Sequence, residues 1–203
     1  MRRLIVNADD LGYTEGVSRG ILEAHERGIV TSTSLMVDPP AAEHGVELAR
    51  RAPGLSVGLH ALLDGVLPER CEQELTRQLA RFEELVGGRP SHVDSHHHTH
   101  REVGVNEVFV RFAEREGLPM RDVAVRHDPR YYGAAAIGVE PLLEILGGLE
   151  DGDTELGCHP GYAEGLASSY TTEREQELRT LTDPRIPARL DELGIELIGW
   201  REL

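Results

Sequence analysis

Four polar clusters in this 203-residue chain carry residue types able to do chemistry together: Asp9-Asp10, His60, the run Asp94-Ser95-His96-His97-His98-Thr99-His100, and Cys158-His159-Pro160. Adjacent carboxylates repel unless a cation or a shared proton relieves them, so Asp9-Asp10 asks for a counter-charge. Imidazole is the commonest transition-metal ligand. Two of them with one carboxylate leave coordination positions open for water and substrate, as catalytic centres do and closed structural sites do not. Taken singly each cluster has a plainer reading. The Asp pair could cap a helix, His60 could be a satisfied core histidine, and His159 could pack beside a turn proline. Their shared placement argues otherwise, because each follows a short apolar run.

The histidine run is the most specific local feature. Continued strand alternation would put Asp94, His96, His98 and His100 on one side and Ser95 and His97 on the other. One ion cannot use them all, so some imidazoles should support ligands through their second ring nitrogen. A metal-sequestering tract is the competing reading, but it would not need Asp9-Asp10 or His159. His159 is placed to act as a general acid across the site from Asp9. Cys158, its neighbour, should face the opposite way and is discounted as a nucleophile.

Short Val/Ile/Leu-rich runs alternate with segments of helical period, the pattern of repeated βα units and a parallel sheet. Strands are expected at 4–8, 30–37, 55–59, 92–95, 123–126, 155–158 and 196–200. Helices are expected at 15–27, 40–51, 72–86, 105–116, 139–149, 172–181 and 186–193. Thr14 should cap the first helix, and Thr172-x-x-Glu175 has capping-box spacing. The fold class is therefore α/β with about seven parallel strands, closed into a distorted TIM-like barrel or open as a doubly wound sheet. Ligands gather at the carboxyl ends of the strands in either case, where the four clusters fall. The length suits one domain spanning 1–203, with no linker or internal repeat.

Composition narrows the partners. The net charge is −15 and lysine is absent, which disfavours a nucleic-acid backbone. The leading apolar stretch, 4–6, is too short for a signal peptide or membrane span. Two distant cysteines suggest neither a disulfide framework nor a zinc knuckle. A cytoplasmic protein with a small-molecule substrate is expected, and a homodimer is compatible with all of this.

The chain resembles the YdjC family of carbohydrate deacetylases, which is distantly similar to polysaccharide deacetylases. The matching stretches are Ile5-Val6-Asn7-Ala8-Asp9-Asp10-Leu11-Gly12, Gly28-Ile29-Val30-Thr31-Ser32-Thr33-Ser34, Val57-Gly58-Leu59-His60, His92 to His100, Tyr131-Tyr132-Gly133 and Cys158-His159-Pro160. The resemblance implies a distorted (β/α) barrel holding one divalent ion, with magnesium expected ahead of zinc, on Asp10, His60 and His96. It further implies Asp9 as general base, His159 as general acid, and hydrolytic removal of acetyl groups from N-acetylated sugars, a linear amide C–N cleavage. Choosing His96 over its neighbours rests on this resemblance. Arg121, Tyr132, His98 and His100 are candidates for contacting the sugar. The segments after His60 and after Arg121 are shorter than in chitooligosaccharide-active members, which reduces the loops that would clasp a sugar chain. The alternatives are another metal-dependent amidohydrolase or phosphoesterase, which often holds two ions, and a non-catalytic metal or sugar binding module.

Overall fold

A computed structural model describes residues 1–166 and 168–203. Seven strands form one sheet: β1 (Arg2–Leu11), β2 (Ser32–Leu35), β3 (Ser56–Ala61), β4 (Val93–Ser95), β5 (Arg126–Asp128), β6 (Gly152–Cys158) and β7 (Ile195–Leu197). Their order is β4-β3-β2-β1-β6-β5, with β7 beside the start of β1, and every pairing is parallel. Two single bridges, Val93 with Met120 and Arg121 with Val125, span the gap between β4 and β5. The sheet thus curls into a distorted α/β barrel.

Among the described residues seven α-helices intervene: α1 (Glu15–Arg27), α2 (Ala42–Ala49), α3 (Pro68–Val86), α4 (Asn106–Glu116), α5 (Val139–Gly147), α6 (Thr172–Leu181) and α7 (Arg185–Leu193). Among the described residues no helix is long and apolar enough to cross a membrane. Thr14 caps α1 as expected, its Oγ1 accepting from Val17 N at 3.1 Å. The box at Thr172 does not form. Thr172 already lies inside the helix, and its hydroxyl donates to Glu173 at 3.2 Å. The strand expected at 123–126 begins only at Arg126, because the chain turns over 120–124 with Asp122 left-handed at φ 68°. The last strand stops at Leu197, and Trp200 opens a 3-10 turn.

Side-chain parity gives the barrel two unlike faces. Leu4, Val6, Ala8, Val57, Leu59, Val93, Leu156 and Cys158 join the main core under the helices. The alternate positions face inward. Ile5, Val125, Ile198 and Trp200 form a small separate apolar cluster, with His92 stacked on Trp200 at 4.6 Å. Beyond them the interior is polar, with Asn7, Asp9, Ser34, His60, Asp94, Arg121 and Glu155 all buried. Close approach fixes the loop after β6. A Cβ on Gly20 would lie 2.5 Å from the Gly161 Cα, so only glycine lets α1 sit against the segment that follows His159.

Candidate active site

Parity alone would send Asp9 inward and Asp10 outward. Asp10 instead adopts φ 73°, at a register shift between Ala8 and Leu11, and both carboxylates line one cavity of about 650 Å³. A non-glycine residue in this conformation costs about 1–2 kcal/mol, so the surroundings must hold it there. They do so through Arg174 of α6, whose Nη2 donates to Asp10 Oδ2 at 2.5 Å.

The three ligand candidates converge. Asp10 Oδ1 lies 3.2 Å from His60 Nε2 and 3.0 Å from His96 Nδ1, and the two nitrogens are 3.4 Å apart. Ligand atoms about 2.0–2.2 Å from one ion are separated by roughly 3.0–3.6 Å in octahedral or tetrahedral geometry, so this triangle fits a shared ion. His60 Nδ1 donates to Asp94 Oδ1 at 2.7 Å, which fixes the tautomer that leaves Nε2 as the ligand atom. Ser34 Oγ donates to the other oxygen of Asp94 at 3.0 Å.

The electrostatics call for a cation. Burial disfavours the charge on His60, but Asp94, Asp10 and Asp9 outweigh it and raise its pKa to about 10. Burial likewise pushes Asp9, Asp10 and Asp94 up, yet all end below the ordinary range. Arg121 is the main cause for Asp9, and His60, His96 and Arg174 act on Asp10. Asp94, held by Arg121 and His60, falls to about 2.

Asp9 is pinned. Arg121 binds both its oxygens, at 2.8 and 2.7 Å, and Asn7 Nδ2 donates to Oδ1 at 2.8 Å. Arg121 also meets Glu155 at 3.0 Å and Asp94 at 2.8 Å. His159 Nε2 stands 4.0 Å from Asp9 Oδ2. Behind His159, Glu177 of α6 accepts from its backbone N–H at 2.5 Å and from Tyr170 at 2.6 Å, with an oxygen 3.9 Å from Nδ1. Burial raises Glu177 to about 7 and lowers His159 below its ordinary value.

The four expected sugar contacts divide. Tyr132 is 63 % exposed and lies face to face with Tyr170, ring centres 5.4 Å apart, with His159 edge-on to both. His98 lines the cavity, and burial lowers its pKa to about 3. Arg121 and His100 do not meet the expectation. Both are 0 % exposed, Arg121 bound to its three carboxylates and His100 to Ser95 at 2.6 Å and Asp122 at 3.1 Å. The alternation expected for 94–100 ends at Ser95, where a 3-10 turn begins with His97 and His98 left-handed. His97 thereby swings out to Asp64, at 2.6 Å, while His96 stays in the site. Cys158 faces away from the cavity, its thiol against Asn7 O.

Sequence reasoning did not single out Arg174, Glu177, Tyr170 or Ser34. For the first two a signal existed. Arg174, Glu177, Leu178 and Leu181 share the inward, i/i+3/i+4/i+7 face of α6 and are all buried. Charged residues on a buried face need partners.

The barrel defines a class. A family 4 carbohydrate esterase from Streptomyces lividans in complex with acetate superposes with a TM-score of 0.64 at 15 % identity, covering 97 % of this chain and 91 % of that one. A candidate cellobiose-phosphate cleavage protein from Enterococcus faecalis V583 superposes at 0.91 with 28 % identity, covering 99 % and 98 %. Within that class the chain belongs to the YdjC-like protein family, whose model matches residues 3–70 and 61–192. Similar relatives are a carbohydrate deacetylase of Geobacillus stearothermophilus, 38 % identical over 99 % of this chain and 98 % of that one, and a chitooligosaccharide deacetylase of Serratia marcescens, 32 % identical over 98 % of each.

Proposed function

We propose that the protein is a metal-dependent hydrolase that removes acetyl groups from N-acetylated sugars. One observation carries this reading: the Asp10, His60 and His96 ligand atoms meet within 3.4 Å of one another beside buried Asp9 and cavity-lining His159. The names of the relatives support it. Two imidazoles and a carboxylate form a softer donor set than the oxygen octahedron Mg²⁺ prefers, so Zn²⁺ or a similar ion suits the triad better than the magnesium expected from sequence. Such an ion supplies Lewis acidity, polarising an acyl oxygen and acidifying water.

The chain's own groups do the rest. Asp9 takes the proton of the attacking water. Arg121 and Asn7 aim its carboxylate, and the low pKa Arg121 imposes means that it holds that proton only briefly. His159 Nε2, 4.0 Å away, is where the proton goes next, and from there it reaches the departing amine. Burial lowers the His159 pKa, which favours the neutral form able to receive it. The glycan rests on Tyr132, backed by Tyr170, with His98 also lining the cavity.

Release of acetate from a panel of N-acetylated sugars, with metal counted per chain, tests the reading. Turnover with about one ion per chain is expected. About two ions with phosphoester cleavage would favour the rival hydrolase, and bound metal without turnover would leave a binding module.

A further inference from the structure

Arg174 is nine-tenths buried, and its Nη2 is committed to Asp10, but Nε and Nη1 meet no hydrogen-bond partner among the described residues. Buried guanidinium donors without partners are rare and call for an explanation. The side chain lines the cavity. One carboxylate group, that of Asp10, separates Arg174 from the ligand triangle, because Oδ2 accepts from Arg174 while Oδ1 faces His60 and His96.

Charge identifies what fits. Asp9 and Asp94 are taken up by Arg121, so Asp10 is the carboxylate that Arg174 and a divalent ion would share. A guanidinium and a dication would share the single negative charge of Asp10, so locally an incoming anionic oxygen is favoured at the open N–H groups of Arg174, on the side away from the Asp9, Asp94 and Glu155 carboxylates gathered on Arg121. Size selects further. The side chain is 4 % exposed and Nε and Nη1 are themselves shielded, so a small anion entering beside Asp10 can meet them where a sugar ring, whose aromatic seat is at Tyr132, cannot. Amide hydrolysis converts a neutral acyl group into a carboxylate, the anion whose planar pair of oxygens matches guanidinium N–H groups.

We propose that Arg174 is a catalytic residue at the acyl end of the site: an open N–H group receives an oxygen of the released carboxylate, and the acyl oxygen as it gains charge during attack. This rests on the deacetylase reading, with water adding to the acyl carbon, the C–N bond breaking, and the amine leaving with the proton carried through His159.

The test is titration of the metal-loaded protein with sodium acetate, with elemental analysis of metal content, for wild type, Arg174→Met and Arg174→Lys. The lysine variant can keep the Asp10 contact but lacks the planar N–H array, which covers the case where the methionine variant does not fold. Acetate affinity should fall about tenfold or more in both folded variants, with metal retained by the lysine variant, whose ammonium can keep the contact Arg174 makes with Asp10. Unchanged acetate affinity, or a wild type that binds no acetate, overturns the proposal. Loss of metal from the lysine variant overturns it as well, leaving Arg174 with no role beyond its brace on Asp10. Absence of turnover on every sugar would defeat the deacetylase reading, while acetate affinity still decides the role of Arg174.

Discussion

Asp94→Asn should change the pH dependence of metal binding more than its strength. In the metal-free protein His60 holds a proton with a pKa of about 10, and the Asp94 charge is the largest influence raising it. A metal ion must displace that proton, so affinity should rise about tenfold per pH unit up to pH 10. At pH 7 the displacement spans three units, about 4 kcal/mol. Asparagine can keep the 2.7 Å hydrogen bond to Nδ1 through its carbonyl, but without the charge His60 titrates nearer its ordinary range. The variant's curve should therefore level off at lower pH. Once both proteins are unprotonated, losing the carboxylate behind a ligating imidazole should weaken binding by about 10–100-fold, or 1.4–2.7 kcal/mol. The two effects cancel between about pH 8 and 9: below that window the variant binds as well as or better than wild type, and above it worse. Competition titration of Zn²⁺ against a chromophoric chelator at pH 6.5–9.5 reads this directly. Parallel curves with a constant offset would refute the idea that Asp94 sets the His60 proton.

Other consequences are simpler. Asp9→Asn, with Arg121 still beside it, should abolish acetate release while metal content stays intact; loss of metal would reassign Asp9 as a ligand. Glu177→Gln should remove the titrating carboxyl behind His159, while its amide oxygen can still accept from the His159 N–H, and shift the pH profile of kcat. The folded pKa of Glu177, about 7, lies above its unfolded value, so wild-type stability falls as pH rises from about 4.5 through 7, by about 3 kcal/mol in full. The variant should escape that fall in urea titrations at pH 5 and 8. Tyr132→Ala should leave stability within about 0.5 kcal/mol, as expected for an exposed residue, while raising KM; an unchanged KM on every active sugar would remove the aromatic seat. In metal-free protein the raised His60 pKa contributes stability that is complete below about pH 6.5 and lost as pH rises towards 10. The gain in Tm on adding metal should therefore widen from pH 7 to pH 9 in thermal melts.

The residues legible in the sequence are those at strand ends. Asp9, Asp10, His60, His96 and His159 each follow an apolar run, and parallel topology brings such positions together. Strand parity also foresaw that Cys158 and His159 part company. It failed where the backbone leaves the strand conformation. Asp10, His97 and His98 are left-handed, and a rule of period two cannot see a residue turned by its own φ. Arg121 was misplaced for another reason. Its position depends on two single bridges between β4 and β5, and its partners lie 112 and 34 residues away in sequence. The same parity rule, applied to every strand at once, would have exposed the polar lumen: Asn7 and Asp9, Ser32 and Ser34, Ser56 and His60, His92 and Asp94, Glu155 and His159 are all spaced by even steps.

That lumen distinguishes a functional charge cluster from a structural one. A buried ion network whose only task is to hold a fold together balances itself within the chain, since each unpaired buried charge is strongly destabilising. Here Asp9, Asp10, Asp94 and Glu155 are buried and face Arg121 and Arg174, which leaves two negative charges unmatched. In the metal-free protein the proton on His60 offsets one of them, which is why that imidazole holds its proton so far above the ordinary range. A dication on Asp10, His60 and His96 would offset both and let His60 become neutral, the form in which it can ligate. The excess charge lies at the carboxyl ends of the strands, where the triad, Asp9 and His159 line the cavity. Stability alone gives no reason to place it there, and binding a divalent cation does.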